Sequence, residues 1–491
     1  MKIGVVSFGS PVRGLVAEEE SSSNAGIIEA PFYKMLSEKY DAEFYVVGGA
    51  QRRTKAIASD PNHVHYKPYL DKFTFCTPET EPEDLDLLVI QSGSENIRHV
   101  CTYGGFKLSC TALVYRALNK YLKTPVIYFQ TDFASPFWYS GERYGGTYMY
   151  FFNCARLWKH RKVNVFLAGD PEDEDMYEKQ HYFYRLKEIC KLHYFPPDLH
   201  YLIDLDDLSF SYEMSENIKG LSFAGKHRRI GSRVDSLQSY IGKGVDVSLI
   251  GKWPDDVVES FQGDGFNYLG VLPEYKEVLD EYNRMGCTLY VSTDHYRQLG
   301  VVTSRFFDAI HAKAIPFITE IDYPVVAEQI GEFPELIVTP DTLAQKIEEF
   351  QDFDKRKDLI NRLTEAYKNN RRNVVAQVIR SVDGILTEEI EPGYDSKKLA
   401  EDFMHDRLKN LKRGAPKSQE DYDDRILKTI GYHIDYDEVL HRNPTRNKSQ
   451  LGFSAKYPDK EKFDVPKEEV MSVLRFLLGD SLDEEYSNLK V

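Results

Sequence analysis

The 491-residue chain has no apolar run of about 18 residues, so no membrane-spanning helix is expected. It has six cysteines, Cys76, Cys101, Cys110, Cys154, Cys190 and Cys287, with no CxxC pair among them and no histidine at zinc spacing. Neither a disulfide framework nor a structural metal is indicated, and reduced thiols suit the cytoplasm. No G-x-G-x-x-G follows the first apolar stretch and no P-loop lysine is present, so NAD and ATP binding lose support. Positive charge is in deficit: 62 Lys and Arg against 78 Asp and Glu leave a net charge of −16, which weakens long-range attraction to nucleic acid. Internal repeats and low-complexity tracts are also missing. The opening MKIGVVSFGS has one lysine and turns at once into Gly9 and Ser10, which suits a first strand better than a signal peptide. The expectation is a cytoplasmic protein.

What is there is an alternation of short β-rich runs and helical periodicity. Residues 2–8 read as a strand, 27–40 as a helix and 43–47 as a strand. Residues 85–90 are apolar, 109–122 have helical spacing, and 125–130 form a strand that delivers Thr131 and Asp132. Residues 163–168 read as a strand, 175–191 as a helix and 193–195 as a short strand. This is the pattern of a doubly wound parallel sheet. It then begins again, with six strand candidates at 221–224, 245–250, 267–269, 287–292, 314–319 and 336–338, followed by helices at 342–350 and 354–370. The chain is long enough for two or three cores. The expected fold class is α/β, with two Rossmann-like doubly wound domains facing a cleft. Domains are placed at 1–212, 213–387 and 388–491, the last a charged, partly helical extension.

The most informative stretch is CTLYVSTDHYRQLGVVTSRFFDAIHAKAIPFIT, Cys287 to Thr319, which reads strand, loop, helix, strand. In such a βαβ unit ligands bind at the carboxyl ends of the strands, where Asp294 and the first helical turn with Arg305 and Asp308 would lie. An arginine there can neutralise a phosphate with two parallel bonds, and aspartates can accept sugar hydroxyls. The same residues would also fit a solvated loop and helix start. Two basic islands stand out, RLWKHRK at 156–162 and KHRRIGSR at 226–233. By composition alone each is a solvated face or a nucleic-acid patch.

Taken in order, these motifs resemble the DNA β-glucosyltransferases of T-even phages, over roughly residues 1–386. The carriers are MKIGVVSFGS, KMLSEKY at 34–40, VIYFQTDFASPF at 126–137, FAGKHRRIGSR at 223–233, YLGVLP at 268–273 and the ungapped stretch 290–308. The resemblance implies a GT-B fold and an inverting transfer of a sugar from a UDP donor to 5-hydroxymethylcytosine in duplex DNA. It implies Asp132 as general base, a role that a carboxylate at a strand end in a cleft can fill, though a turn or cap aspartate has the same look.

On the donor side the resemblance implies Gly9 beside the donor and Arg228 and Arg233 on the diphosphate, with Arg229 able to replace Arg228. It implies the main chain of Leu272 on the uracil edge, Asp294 on a sugar hydroxyl, Arg305 on the diphosphate or base, and Asp308 on the ribose where the family has Glu. Glu29 is matched to a glucose-contacting Glu with an offset of one residue. UDP-glucose is the default donor and UDP-arabinose stays open. A divalent metal is compatible with the motif and not required by it. For the acceptor, duplex hydroxymethylated DNA, the resemblance points to TYGGFK at 102–107 and to residues 134–162. These carry Lys107, Trp138, Arg143, Tyr144, Arg156, Lys159, Arg161 and Lys162, aromatics interleaved with cations. Two other readings stand beside this one: a GT-B enzyme with a glycan or small-molecule acceptor, and a non-catalytic binder that kept the fold.

Overall fold

The computed structural model describes residues 1–6, 25–47, 72–91, 100–103, 106–129, 163–168 and 191–195, and most of 202–388. Within these, fourteen strands fall into a seven-stranded sheet, a five-stranded sheet and a hairpin. The seven-stranded sheet has the order β3-β2-β1-β4-β7-β8-β9. Its strands are β1 (Lys2–Val6), β2 (Glu43–Val46), β3 (Phe73–Phe75), β4 (Leu87–Gln91), β7 (Val126–Phe129), β8 (Val163–Ala168) and β9 (Lys191–Phe195), every pairing parallel. Strands buried on both faces need near-continuous apolar runs, and KIGVV, LLVIQ and VNVFLA supply them. Helices α1 (Ala25–Tyr40) and α2 (Cys110–Lys120) flank this sheet. Glu81, fully buried, takes a two-pronged contact from Arg116 of α2 at 2.6 and 2.9 Å and a bond from Lys120 at 2.7 Å, which fastens α2 to the approach to β4.

The five-stranded sheet has the order β12-β11-β10-β13-β14, again all parallel. It comprises β10 (Gly220–Ala224), β11 (Asp246–Ile250), β12 (Phe266–Gly270), β13 (Gly286–Tyr290) and β14 (Ile315–Ile318). Between and after these strands come α3 (Arg233–Tyr240), α4 (Asp255–Ser260), α5 (Tyr275–Met285), α6 (Ser304–His311), α7 (Tyr323–Ile330), α8 (Leu343–Glu349) and α9 (Phe353–Leu386). The α/β class with two parallel sheets is as the sequence leads one to expect.

Three details differ from the sequence expectation, and a fourth lies almost wholly outside the described residues. The sixth strand at 336–338 is not formed: Pro334–Leu336 is a 3-10 turn, and only one bridge, Ile318 to Ile337, joins the sheet edge. Proline fixes the backbone of that turn and leaves too few residues for a ladder. The helix expected at 354–370 continues to Leu386. The polar run Asn369–Arg372 looks like a stop, but Val374, Val378, Val382 and Ile385 prolong the buried stripe of Leu359, Leu363 and Tyr367. Each such side chain is worth on the order of 2 kcal/mol buried, enough to carry a few exposed polar residues. The expected helix 175–191 lies outside the described residues except for Lys191, which opens β9. Finally, TYGGFK is not simply a loop: β5 (Val100–Tyr103) and β6 (Phe106–Ser109) form an antiparallel hairpin in which Tyr103 pairs with Phe106 across the two glycines.

Helix α9 ties the two sheets together. Its amino end holds the linker before β10, because Arg356, fully buried, donates to the carbonyls of Ser215 and Glu216. Gln351, just ahead of the helix, brackets both backbone groups of Ile218. Farther along, Arg371 pairs with Asp204 at 3.1 Å, and Asp383 accepts from the phenol of Tyr40 on α1 at 2.8 Å. Just past its end Glu388 meets Lys191 of β9. Among the described residues no helix is long and apolar enough to cross a membrane.

Candidate functional site

In the five-stranded sheet β10 is first in sequence. The chain moves outward to β11 and β12, then reverses to β13 and β14. The order therefore switches between β10 and β13, and the crevice beyond their carboxyl ends is where a parallel sheet of this kind takes a ligand. The segment KHRRIGSR leaves from the end of β10, the stretch 291–303 from the end of β13, and Leu272 follows β12. Three of the sequence motifs thus depart from one edge.

Arg305, the second residue of α6, reaches across the switch. Its Nη1 donates to the carbonyl of Ala224, the last residue of β10, at 3.1 Å, and its guanidinium lies 5.6 Å from the ring centre of Phe223. It rests against Gly225, where a Cβ would come within 2.7 Å of Nη1. A helix that follows β13 has thereby placed a permanent cation over the end of β10.

The start of the basic segment is held on its other side. Gly225 donates to Ile250 at 2.9 Å, and its carbonyl accepts the Trp253 indole N–H at 2.8 Å. The phenol of Tyr268 donates to Gly251 at 2.9 Å and accepts from Trp253 N–H at 3.2 Å. Gly251 has φ of +121°, and a Cβ there would sit 1.9 Å from the Gly225 carbonyl oxygen, so only glycine fits. The ends of β10, β11 and β12 are laced into one unit by Gly225, Gly251, Trp253 and Tyr268. Of these the sequence reading quoted Gly225 and Tyr268 inside motifs but gave neither a role.

Asp308 is not in the first turn of the helix as expected. With Thr303 as N-cap, α6 starts at Ser304, so Asp308 is its fifth residue, on the face turned toward the core and 5 % exposed. The phenol of Tyr275, first residue of α5, donates to it at 2.7 Å. Burial, then the charge of Asp308 and the hydrogen bond to it, push the Tyr275 phenol well above its ordinary value, so it stays a donor. The Tyr282 phenol is likewise raised, by burial first and Asp308 second. The side chain of Leu272 packs against the cluster of Tyr275, Tyr282 and Ala309.

A second buried carboxylate was missed in the sequence. Asp322, 1 % exposed, accepts from Ser292 N–H at 3.1 Å, from Thr319 Oγ1 at 2.7 Å and from Arg297 Nη1 at 2.9 Å. Its place before Tyr323 and Pro324 looks like a helix cap, yet its side chain makes no cap bond to α7 and instead fixes Ser292 and Arg297. Nearby, the buried hydroxyls of Ser292 and Thr303 have no hydrogen-bond partner among the described residues.

Gly9, Asp132, Arg228, Arg229, Asp294, Arg143, Arg156, Lys159, Arg161 and Lys162 lie outside the described residues. For Glu29 in α1, Lys107 in β6 and Arg233 at the start of α3, the structure describes the backbone alone. Among the described residues no group of three or more His, Cys, Asp or Glu is placed to hold a metal ion.

No protein-family model matches the chain, and no curated protein matches its sequence. Solved structures do. A mutant of T4 phage BGT in complex with UDP-glucose has a TM-score of 0.50 at 14% identity, over 79% of this chain and 100% of that one. T4 phage BGT in complex with its UDP-glucose substrate gives 0.48 at 13% identity with the same coverage. AviGT4, a glycosyltransferase involved in avilamycin A biosynthesis, gives 0.39 at 12% identity, over 78% of this chain and 98% of that one. Identities this low speak to architecture and not to chemistry. The chain has the two-sheet GT-B fold, in the form found in the T4 phage β-glucosyltransferase.

Proposed function

We propose that this protein is a GT-B glycosyltransferase that moves a sugar, with inversion, from a UDP donor to the hydroxymethyl group of a modified pyrimidine in DNA. The observation that supports it most is the position of Arg305, bonded to the end of β10 where KHRRIGSR begins and carried by the helix that follows β13. That brings one arginine of the motif set to the start of the segment bearing the others. The solved structure with the same fold and a TM-score of 0.50 is a complex with UDP-glucose.

In this reading residues 1–212 serve the acceptor, 213–387 the donor, and 388–491 are appended. Asp132 takes the proton of the acceptor hydroxymethyl as its oxygen bonds to the anomeric carbon and the bond from that carbon to the β-phosphate oxygen breaks. UDP departs with one more negative charge, which Arg228 or Arg229, Arg233 and Arg305 stabilise more in the transition state than in the ground state. The main chain of Leu272 reads uracil, Asp308 holds the ribose, and Asp294 and Glu29 hold the sugar, with Gly9 leaving room beside it. The aromatic and basic residues of 102–107 and 134–162 grip DNA and expose the target base.

The net charge of −16 favours a second acceptor class, a glycan or small molecule, on the same donor site. One assay separates them. Purified protein is given UDP-glucose, UDP-arabinose and other UDP-sugars, with and without hydroxymethylated duplex DNA, and UDP release is measured. DNA-dependent release is expected. Release that ignores DNA replaces the acceptor, and no release or binding of any UDP-sugar removes the enzyme reading.

A further inference from the structure

We propose that Tyr275 is a specificity residue of the nucleotide pocket: its hydrogen bond to Asp308 couples the turn after β12, which carries Leu272, to helix α6, which carries Asp308 and Arg305. Holding the ribose and selecting the base then depend on one link. The inference rests on the reading above, in which Leu272 and Asp308 face a uridine.

The link is built from three features. Tyr275 opens α5 three residues after Leu272, so a displacement of its ring is passed directly to the turn that meets the base. Its phenol donates to Asp308 at 2.7 Å, with Asp308 5 % exposed and Tyr275 8 % exposed, so water does not compete for the bond. Leu272, Tyr275 and Ala309, the residue after Asp308, belong to one packed cluster, which makes turn, α5 and α6 a single mechanical unit. An ionised carboxylate offers about four acceptor positions. Tyr275 takes one, at Oδ1, and the reading above assigns the ribose hydroxyl to the same carboxylate. Aspartate is also one methylene shorter than the glutamate that the resemblance suggests for this position, so its carboxylate stays close to α6, within reach of a phenol on α5.

Tyr275→Phe keeps the ring and removes the donor. Full-length wild type, Tyr275→Phe, Asp308→Asn and the double variant are titrated with UDP, CDP and GDP by calorimetry, and their melting temperatures are recorded. The proposal expects Tyr275→Phe to bind UDP about tenfold more weakly, the scale of one hydrogen bond to a charged group. It also expects the preference for UDP over CDP and GDP to shrink, with the double variant no worse than the weaker single one. It is overturned if Tyr275→Phe binds UDP as wild type does, if all three nucleotides weaken in equal proportion, or if the losses in the double variant multiply. Should Tyr275→Phe not fold, Asp308→Asn decides: a reduced UDP preference supports the link and an intact one overturns it. Wild type that binds none of the three nucleotides fails in a different way, because the uridine site itself is then wrong and the link goes with it.

Discussion

The two ends of the five-stranded sheet bury polar groups to different purposes. At the amino end, Arg356 and Gln351 hold the linker before β10, and Arg284 pairs with Glu281 on its own helix around an open hollow lined by Lys219, Asp246 and Asn267. At the carboxyl end, Arg305, Trp253, Tyr268, Tyr275 and Asp322 join one turn or strand end to another. At the amino end the bonds anchor one linker or stay within one helix, while at the carboxyl end they tie together the turns that follow several strands, which regular structure leaves undetermined. Substitutions at the amino end should then cost stability alone, and those at the carboxyl end should also cost nucleotide affinity.

The largest effect is expected at Asp322. Asp322→Ala leaves Arg297 beside an empty carboxylate position and frees Ser292, and should destabilise by about 4 kcal/mol in denaturant melts. UDP-sugar affinity should fall with it, and an unchanged affinity would break the contrast. Two glycines test the same edge from the backbone. Gly251→Ala forces a Cβ to within 1.9 Å of the Gly225 carbonyl at positive φ and should cost about 3 kcal/mol. Gly225→Ala meets the end of Arg305 at 2.7 Å and the buried ring of Phe223 at 3.0 Å, so its stability cost should be smaller, about 1 kcal/mol, while UDP binding drops several-fold.

A third test uses pH. His311 is buried, and burial first, with Lys313 second and Asp206 opposing, lowers its pKa from 6.5 to about 4. The unfolded chain takes up the proton near 6.5 and the folded one does not, so the stability from this group is present above pH 6.5. It is lost as pH falls toward 4, by about 3 kcal/mol at most. Denaturant midpoints across that window should slope downward on acidification, and His311→Phe should flatten the slope. A last pair of substitutions sharpens the comparison most. Arg356→Leu should lower stability by about 2 kcal/mol with UDP affinity unchanged, whereas Arg305→Ala should lower affinity about tenfold with little change in stability.

Most of the fold could be read from the sequence because parallel strands buried on both faces announce themselves as apolar runs, as KIGVV, LLVIQ and GCTLY do. Elements whose stability comes from partners far away in the chain were harder. Strand β3 is three residues long and depends on β2, and the second half of α9 is polar in sequence but buried by its valines. The site divides along the same line. The place of Arg305, at the start of a helix that follows β13, was legible from the strand-loop-helix spacing, but its bond to Ala224, 81 residues away, was not. Asp322 and Trp253 were not, since their partners are 30 and 28 residues away and no local spacing marks them. The burial of Asp308 was also out of reach, because it comes from packing against Tyr275 of α5, 33 residues away.

A crystal structure of the protein soaked with UDP addresses the central proposition most directly. Diphosphate density beyond the carboxyl ends of β10 and β13, beside the Arg305 guanidinium and with the ribose toward Asp308, is the predicted result. UDP in the hollow at the amino end of the sheet, or bound with Arg305 still turned to Ala224 and away from the phosphates, would contradict it.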